Sequence, residues 1–450
     1  MDSYKILLIA RYEGKLLCRN FVFLLLCGFM LLGIVVFHVF LQSDWRVFEY
    51  SVNLPSGMPY ANAYLWGIMQ SFLVIFVVGD FVYRDNIEKT NDVFLARDFS
   101  NLEYLTGKLV GVVVVFLVLN VISMFICMLV HLFASSFRFN VGLYLFYLLT
   151  VSLPALLFMS GLVFMIKIWI KFRFFALTGL VMFLFLSLFV FSTKTLGIFD
   201  FMASRVPHIF SSMVGHPAMG SYLLHRLVFV LVGVGCFVIS VYGFKRLPNN
   251  TGRSRRLGVV GVVFVLLGFL TGWLYWLPHQ VARETRNDWV TIQKKYDAYP
   301  KVKIEQHEIK YDIRGEKILA RSVISVRNSN LFRVDSVIFY LNPSLEVTGV
   351  TAGSHNVNFT RNQQIVVIEK SLHPDERCEL DLSYSGAIDP RICYLDISPE
   401  RYDEQEQDEL FACYGKRFVF TGKDFTLLTP EALWYPVSKS VTELMNPYVN

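Results

Sequence analysis

Residues 257–288 read LGVVGVVFVLLGFLTGWLYWLPHQVARETRND, and the chain changes character inside this stretch. Up to Leu277 it is apolar and about as long as the roughly 20 residues that a helix needs to cross the hydrocarbon core of a bilayer. From Pro278 onward it is polar and rich in charged side chains. The sequence therefore predicts a membrane-spanning domain that ends at residue 277 and a different kind of domain beyond it.

Apolar stretches of membrane-spanning length recur before this point. Hydrophobic residues make up 54% of the chain and aromatic residues 16%, more than a water-soluble domain usually contains. We therefore predict a polytopic α-helical membrane domain, residues 21–277, with about seven spans. The predicted spans are Phe21–Leu41, Ala63–Val82, Leu109–Phe133, Val141–Ile166, Phe174–Phe191, Leu227–Phe244 and Leu257–Leu277.

Lysine and arginine indicate the orientation, because short basic loops stay in the cytoplasm. They cluster after the second, fourth and sixth predicted spans, which places the N-terminus in the cytoplasm and the C-terminal domain outside. The net charge of +6 then reflects topology, and nucleic acid is not an expected partner. The basic residues of these loops are Arg84, Lys89, Arg97, Lys108, Lys167, Lys171, Arg173, Lys245, Arg246, Arg253, Arg255 and Arg256.

The segment ahead of the first span, residues 1–20, projects as an amphipathic helix. We expect it to lie along the cytoplasmic surface of the membrane. The alternative is a basic lead-in that only fixes topology. The predicted basic side carries Lys5, Arg11, Lys15 and Arg19, and the predicted apolar side carries Ile6, Leu7, Ala10 and Leu17.

The loop after the second predicted span contains GDFVYRD at residues 79–85 and EKTNDV at residues 88–93, and ends in Gly107-Lys108. It resembles the loop between the second and third spans of type-2 ABC exporter permeases, and the amphipathic segment resembles the connecting helix of the same family. The resemblance covers about residues 1–250. The alternative is that the chain is an unrelated membrane protein, in which this loop is exposed to solvent and its charges only fix the topology.

The resemblance implies a second permease subunit and a separate cytoplasmic ABC ATPase, whose cleft would seat the charged loop. Thr90, Asn91 or Asp92 could cap a short helix there. The chain has no G-x-x-x-x-G-K-[ST] phosphate loop of its own. No cofactor is expected. The residues expected to couple to the ATPase are Arg84, Asp85, Glu88, Lys89, Thr90, Asn91, Asp92, Arg97 and Lys108.

Polar residues inside and between the spans are expected to have structural roles. Asn120 and Ser123 lie in the middle of a span, and we expect them to form hydrogen bonds between helices. Residues 192–226 contain His208, His216 and His225, whose spacing matches no compact metal-ligand motif. We predict no metal site there, and a partly re-entrant or interfacial segment instead.

After a linker, residues 278–300, apolar and polar residues alternate with period two, and turn residues separate the alternating runs. This pattern predicts an antiparallel β-sandwich or barrel in residues 301–450. The predicted strands are 301–312, 317–328, 332–341, 346–352, 356–359, 364–368 and 378–384.

The C-terminal domain contains Phe339-Tyr340-Leu341-Asn342-Pro343, Leu372-His373-Pro374 and Trp434-Tyr435-Pro436. In order and spacing these resemble the N-terminal β domain of the aminopeptidase-N family of zinc peptidases, over about residues 300–437. The family's H-E-x-x-H motif is missing, since Ile309-Lys310-Tyr311 follows His307-Glu308. No catalytic residue is carried over, and no peptidase activity is expected on this chain.

The two resemblances together imply a permease of a bacterial inner membrane with a periplasmic β domain, as in permease–aminopeptidase fusions of Bacteroidetes. The chain could be the anchor and β domain of a longer periplasmic zinc aminopeptidase, or a noncatalytic envelope scaffold. Cys393 and Cys413 flank an acidic insertion, residues 400–409, and a disulfide between them could close its base.

Overall fold

The computed structural model describes residues 2–41, 54–87, 100–134, 139–170, 172–192, 197–211, 215–244, 251–398, 402, 413, 415, 418–421 and 425–439. The chain divides into two compact units. The first comprises Met1–Leu277 and Gln407–Gly415, and the second comprises Pro278–Glu406 and Lys416–Asn450.

The first unit is helical. Within the described residues, seven helical stretches are long and apolar enough to cross a membrane, in the places that the sequence predicts. This is compatible with a multi-pass membrane protein. The helices are α1 Ser3–Arg19, α2 Phe21–Leu41, α3 Gly57–Ile87, α4 Asn101–Ala134, α5 Val141–Tyr147, α6 Leu153–Trp169, α7 Arg173–Leu186, α8 Met219–Gly243 and α9 Thr251–Asp297.

The fourth predicted span is interrupted, because a π-helical turn, Leu148–Ser152, separates α5 from α6. Pro154 follows the turn and has no N–H to donate to the carbonyl of Thr150. The buried Arg226 of α8 donates from Nε to that carbonyl at 2.7 Å and from Nη2 to the carbonyl of Phe201 at 2.7 Å. A side chain from another helix thus satisfies the backbone at the interruption, as an apolar environment requires.

A seam of buried polar side chains joins the helices around this interruption. Gln70 of α3 donates to the carbonyl of Ser152 at 3.0 Å and accepts from Asn120 of α4 at 2.7 Å. Ser123, also of α4, donates to Asn62 of α3 at 3.1 Å. The expected role of Asn120 and Ser123 as hydrogen-bond partners between helices is therefore confirmed.

Helices α6 and α8 are in close backbone contact where two glycines meet. A Cβ atom built on Gly233 would lie 2.6 Å from Cα of Phe158, and one built on Gly161 would lie 2.8 Å from the carbonyl carbon of Gly233. Real Cβ atoms do not come this close to a backbone. The contact between the two helices therefore depends on the absence of side chains at these positions.

The second unit contains antiparallel sheets. Five strands pair in the order β1-β2-β8-β4-β5, three pair in the order β3-β7-β6, and β9 pairs with β10. The strands are β1 Lys303–Arg314, β2 Lys317–Arg327, β3 Val337–Tyr340, β4 Leu345–Ala352, β5 His355–Asn356, β6 Phe359–Asn362, β7 Ile365–Ile368, β8 Arg377–Ala387, β9 Val419–Thr421 and β10 Thr426–Leu428.

The two larger sheets share one hydrophobic core. Ile324 of β2 and Leu382 of β8 belong to the same buried cluster as Phe339 of β3 and Val366 of β7. Alternate residues of β2 are buried, as the period-two pattern predicts. The arrangement is that of an antiparallel sandwich. The predicted strands agree with the observed ones to within a few residues, except that 332–341 shortens to β3 and 356–359 divides between β5 and β6.

Of the two forms expected for the linker, a short helical or an irregular connector, the structure has the helical one, because α9 continues as far as Asp297. The Arg286 guanidinium donates to the carbonyls of Cys393 at 2.6 Å and Tyr394 at 2.8 Å, and lies 3.5 Å from the ring centroid of Tyr402. Trp289 is buried in a second hydrophobic cluster of this unit. The C-terminal turns of α9 are therefore part of the packed second unit.

Candidate coupling site

The residues predicted to couple to an ATPase fall in three places. Arg84 and Asp85 belong to the last turns of α3. Lys108 lies two turns inside α4, not in the loop where the sequence pattern predicts it. The remaining residues lie outside the described part of the chain, and they are Glu88, Lys89, Thr90, Asn91, Asp92 and Arg97.

Helix α4 begins at Asn101, well before the apolar run that starts at Leu109, because a capping box fixes its first turn. Ser100 Oγ accepts from the backbone N–H of Glu103 at 3.2 Å, and Glu103 Oε2 accepts from the backbone N–H of Ser100 at 2.9 Å. The other carboxylate oxygen of Glu103 accepts from the backbone N–H of Asp2 at 2.7 Å. The end of the predicted coupling loop is thereby attached to the start of α1.

A buried ion pair makes the second attachment between α1 and α4. Lys108 Nζ lies 2.6 Å from Glu13 Oε1, and the two side chains are 2% and 4% exposed. Removing two charges from water costs several kcal/mol each, so such a pair is stable only when its geometry is good and both charges are present. This contact could not be predicted from the sequence, because Glu13 is 95 residues from its partner.

The backbones of α1 and α4 lie close together beside this pair. A Cβ atom on Gly111 would come within 2.7 Å of the carbonyl oxygen of Ala10. Ala10 and Leu17 are buried, in agreement with the predicted apolar side of α1, but Leu7 is 66% exposed. The predicted division of this helix into two sides is therefore wrong at Leu7, and Glu13, which the prediction assigned to neither side, lies on the packed side.

The three histidines between α7 and the first turns of α8 have separate partners. His208 stacks on Tyr60 with ring centroids 3.5 Å apart, His225 Nε2 lies 2.8 Å from the carbonyl of Gly197, and His216 Nδ1 accepts from a backbone N–H at 3.2 Å. Within the described residues, no three His, Cys, Asp or Glu side chains are placed to hold a metal ion.

Much of the segment that carries these histidines is buried. Phe201, Met202 and Val206 have no exposed surface. Asp200 accepts from the backbone N–H groups of Met202 and Ser204, and burial raises the pKa of its carboxyl. The described segment between α7 and α8 is therefore packed into the helical unit.

Cys393 and Cys413 form no disulfide in the structure, where all seven cysteines are described. Cys413 belongs to the first unit, where its carbonyl accepts from the backbone N–H of His208 at 3.2 Å. Cys393 belongs to the second, where burial raises the pKa of its thiol to about 12. The two cysteines flank one insertion in the sequence, but the structure assigns them to different units.

No protein-family model and no curated protein matches the chain. Its structure is distantly similar to M1 zinc metallopeptidases. A mutant from Deinococcus radiodurans bound to a Tyr-Ser-Ala substrate gives a TM-score of 0.18 and 14% identity, over 20% of this chain and 21% of that one.

A second structure of the mutant peptidase from Deinococcus radiodurans covers the same shares at 15% identity and a TM-score of 0.18. A two-domain M1 zinc metallopeptidase mutant bound to L-arginine covers the same shares at 14% identity, also with a TM-score of 0.18. The chain spans about a fifth of the length of the structures that it matches.

Proposed function

We propose that the chain is the membrane-spanning permease subunit of a type-2 ABC exporter in a bacterial inner membrane. A separate cytoplasmic ATPase would hydrolyse ATP, and a second permease subunit would complete the transport path. Seven apolar helices of membrane-spanning length and the charged loop between α3 and α4 support this proposal.

The observation that carries the proposal is the double attachment of α1 to the start of α4. Glu103 holds the backbone of Asp2, and Lys108 holds Glu13 in a buried pair. The predicted coupling loop leads directly into Ser100, which caps the first turn of α4 next to these two attachments. A push on the loop would therefore move α1 and α4 together, which is what a permease needs to convert closure of an ATPase dimer into movement of its spans.

The coupling role is tested by reversing two charges of the loop. In the variant Arg84→Glu/Glu88→Arg, we expect ATPase stimulation by the permease to fall to the basal rate, because the loop would no longer match its cleft. Membrane insertion should be unchanged. The measurement is the rate of ATP hydrolysis by the ATPase alone and by the ATPase reconstituted with the permease.

A matched control comes from an exposed pair of the second unit. Lys310 and Glu308 lie 3.0 Å apart on the surface of β1, with side chains 79% and 58% exposed. Reversing both charges changes the net charge as little as the loop variant does, and it should leave stimulation intact. Full stimulation in the loop variant would count against the coupling role.

The second candidate function is that of a membrane anchor and β domain for a periplasmic zinc aminopeptidase. The antiparallel sandwich and the Trp434-Tyr435-Pro436 run favour it. His307 and Glu308 do not supply the zinc motif, because they lie in β1, where neighbouring side chains point to opposite faces. This candidate requires an H-E-x-x-H helix in a longer gene product. A noncatalytic envelope scaffold would require neither zinc nor an ATPase.

A further inference from the structure

Helix α1 is held at the level where two membrane-crossing helices begin. It ends at Arg19, and Asn20 breaks the helix with φ −78° and ψ 109°. The N–H of Asn20 bonds to the carbonyl of Leu17 at 3.1 Å, and its side chain accepts from Phe23 N at 3.1 Å, so one residue caps both α1 and α2. Because α2 is apolar from Phe21 onward, α1 must lie at the boundary between headgroups and hydrocarbon.

The side of α1 that faces away from α4 combines apolar and basic residues. Arg11, Lys15 and Arg19 are exposed on it. Long side chains of this kind reach headgroups while aromatic and aliphatic neighbours enter the acyl boundary. The apolar residues of this side are Tyr4, Leu7, Leu8 and Tyr12, with exposed fractions of 72%, 66%, 56% and 55%.

The exposed side carries positive charge only. The single acidic residue inside α1 is Glu13, and it is turned inward to Lys108. The neighbouring Asp2 caps the helix by accepting from the N–H of Tyr4 at 3.0 Å. The buried pair therefore has a second consequence, since it holds the one acidic side chain within α1 away from Arg11, Lys15 and Arg19.

We propose that this face, formed by Arg11, Lys15 and Arg19 with Tyr4, Leu7, Leu8 and Tyr12, binds the phosphate headgroups of anionic lipids. Each basic residue near an anionic surface favours binding by a small and roughly additive amount. Three together should give the face a preference of roughly a hundredfold for anionic over zwitterionic lipid. The proposal needs only a membrane-embedded chain and does not depend on an ATPase partner.

The test is lipid binding by the delipidated, full-length chain in detergent, followed by mass spectrometry of the intact complex. Phosphatidylglycerol and phosphatidylcholine would be added in equal amounts, and the bound ratio measured. We expect wild type to retain phosphatidylglycerol preferentially. The variant Arg11→Gln/Lys15→Gln/Arg19→Gln should lose that preference.

Two further variants keep the test decisive. Lys310→Gln/Arg314→Gln/Arg333→Gln removes three exposed charges from the second unit and should leave the preference unchanged. Arg11→Lys/Arg19→Lys preserves the charge of α1 and should also preserve it. An unchanged preference in the glutamine variant of α1, or an equal loss in the control, would overturn the proposal, as would an indifferent wild-type chain.

Discussion

Replacing Lys108 with methionine is expected to lower the free energy of unfolding of the helical unit by about 3–5 kcal/mol, because the buried carboxylate of Glu13 would lose the ammonium group that lies 2.6 Å from it. The side chains of both residues are almost completely inaccessible, so water cannot take the place of the missing ammonium group. The measurement is equilibrium unfolding of the purified chain in mixed micelles. Protease sensitivity after α1 should rise in parallel.

The double variant Glu13→Leu/Lys108→Met distinguishes the loss of one charge from the loss of the whole ion pair. Removing both charges also removes the penalty, and an apolar pair of similar size is often no less stable than a buried ion pair. We therefore expect most of the lost stability to return. The exposed Lys15→Met provides a control on the same helix and should change stability by less than about 0.5 kcal/mol. A single variant as stable as wild type would contradict the importance of the pair.

Adding one methyl group at Gly161 is the second large expected effect. In Gly161→Ala the new Cβ would overlap the backbone of Gly233, which cannot rotate away as a side chain could. Helices α6 and α8 would have to separate along their contact. We expect a loss of about 3 kcal/mol, at the upper end of the usual cost of overpacking.

Gly179→Ala on α7 is the matched control, because a Cβ there would meet no atom within 4 Å. Alanine favours helix over glycine by about 1 kcal/mol, so this variant should be as stable as wild type or slightly more stable. Thermal unfolding of the two alanine variants in the same detergent compares them directly. Equal midpoints would mean that α6 and α8 are not in the close contact described above.

The helices and strands of this fold could be predicted where one residue pattern in the local sequence determines the secondary structure. The apolar runs gave the seven long helices, and period-two alternation gave the strands of the sandwich, because β2 buries every second residue. Single contacts between distant residues could not be predicted in the same way. Nothing in the local sequence of Glu13 shows that it faces Lys108 and not water.

The same limit explains the other differences. The break at Leu148–Ser152 is stable because Arg226, far away in the sequence, donates to the carbonyl of Thr150. The segment predicted as a linker continues as helix because Arg286 finds carbonyl partners beyond residue 390. Composition alone could not distinguish either segment from an ordinary span or an ordinary connector.

The most direct test of the permease proposal is purification of the chain from its native membranes in mild detergent, followed by mass spectrometry of the intact protein and of whatever accompanies it. We expect an ATPase with a Walker A motif in stoichiometric amount, together with a second permease subunit. A longer chain that carries zinc and no ATPase would contradict the proposal and favour the anchored peptidase.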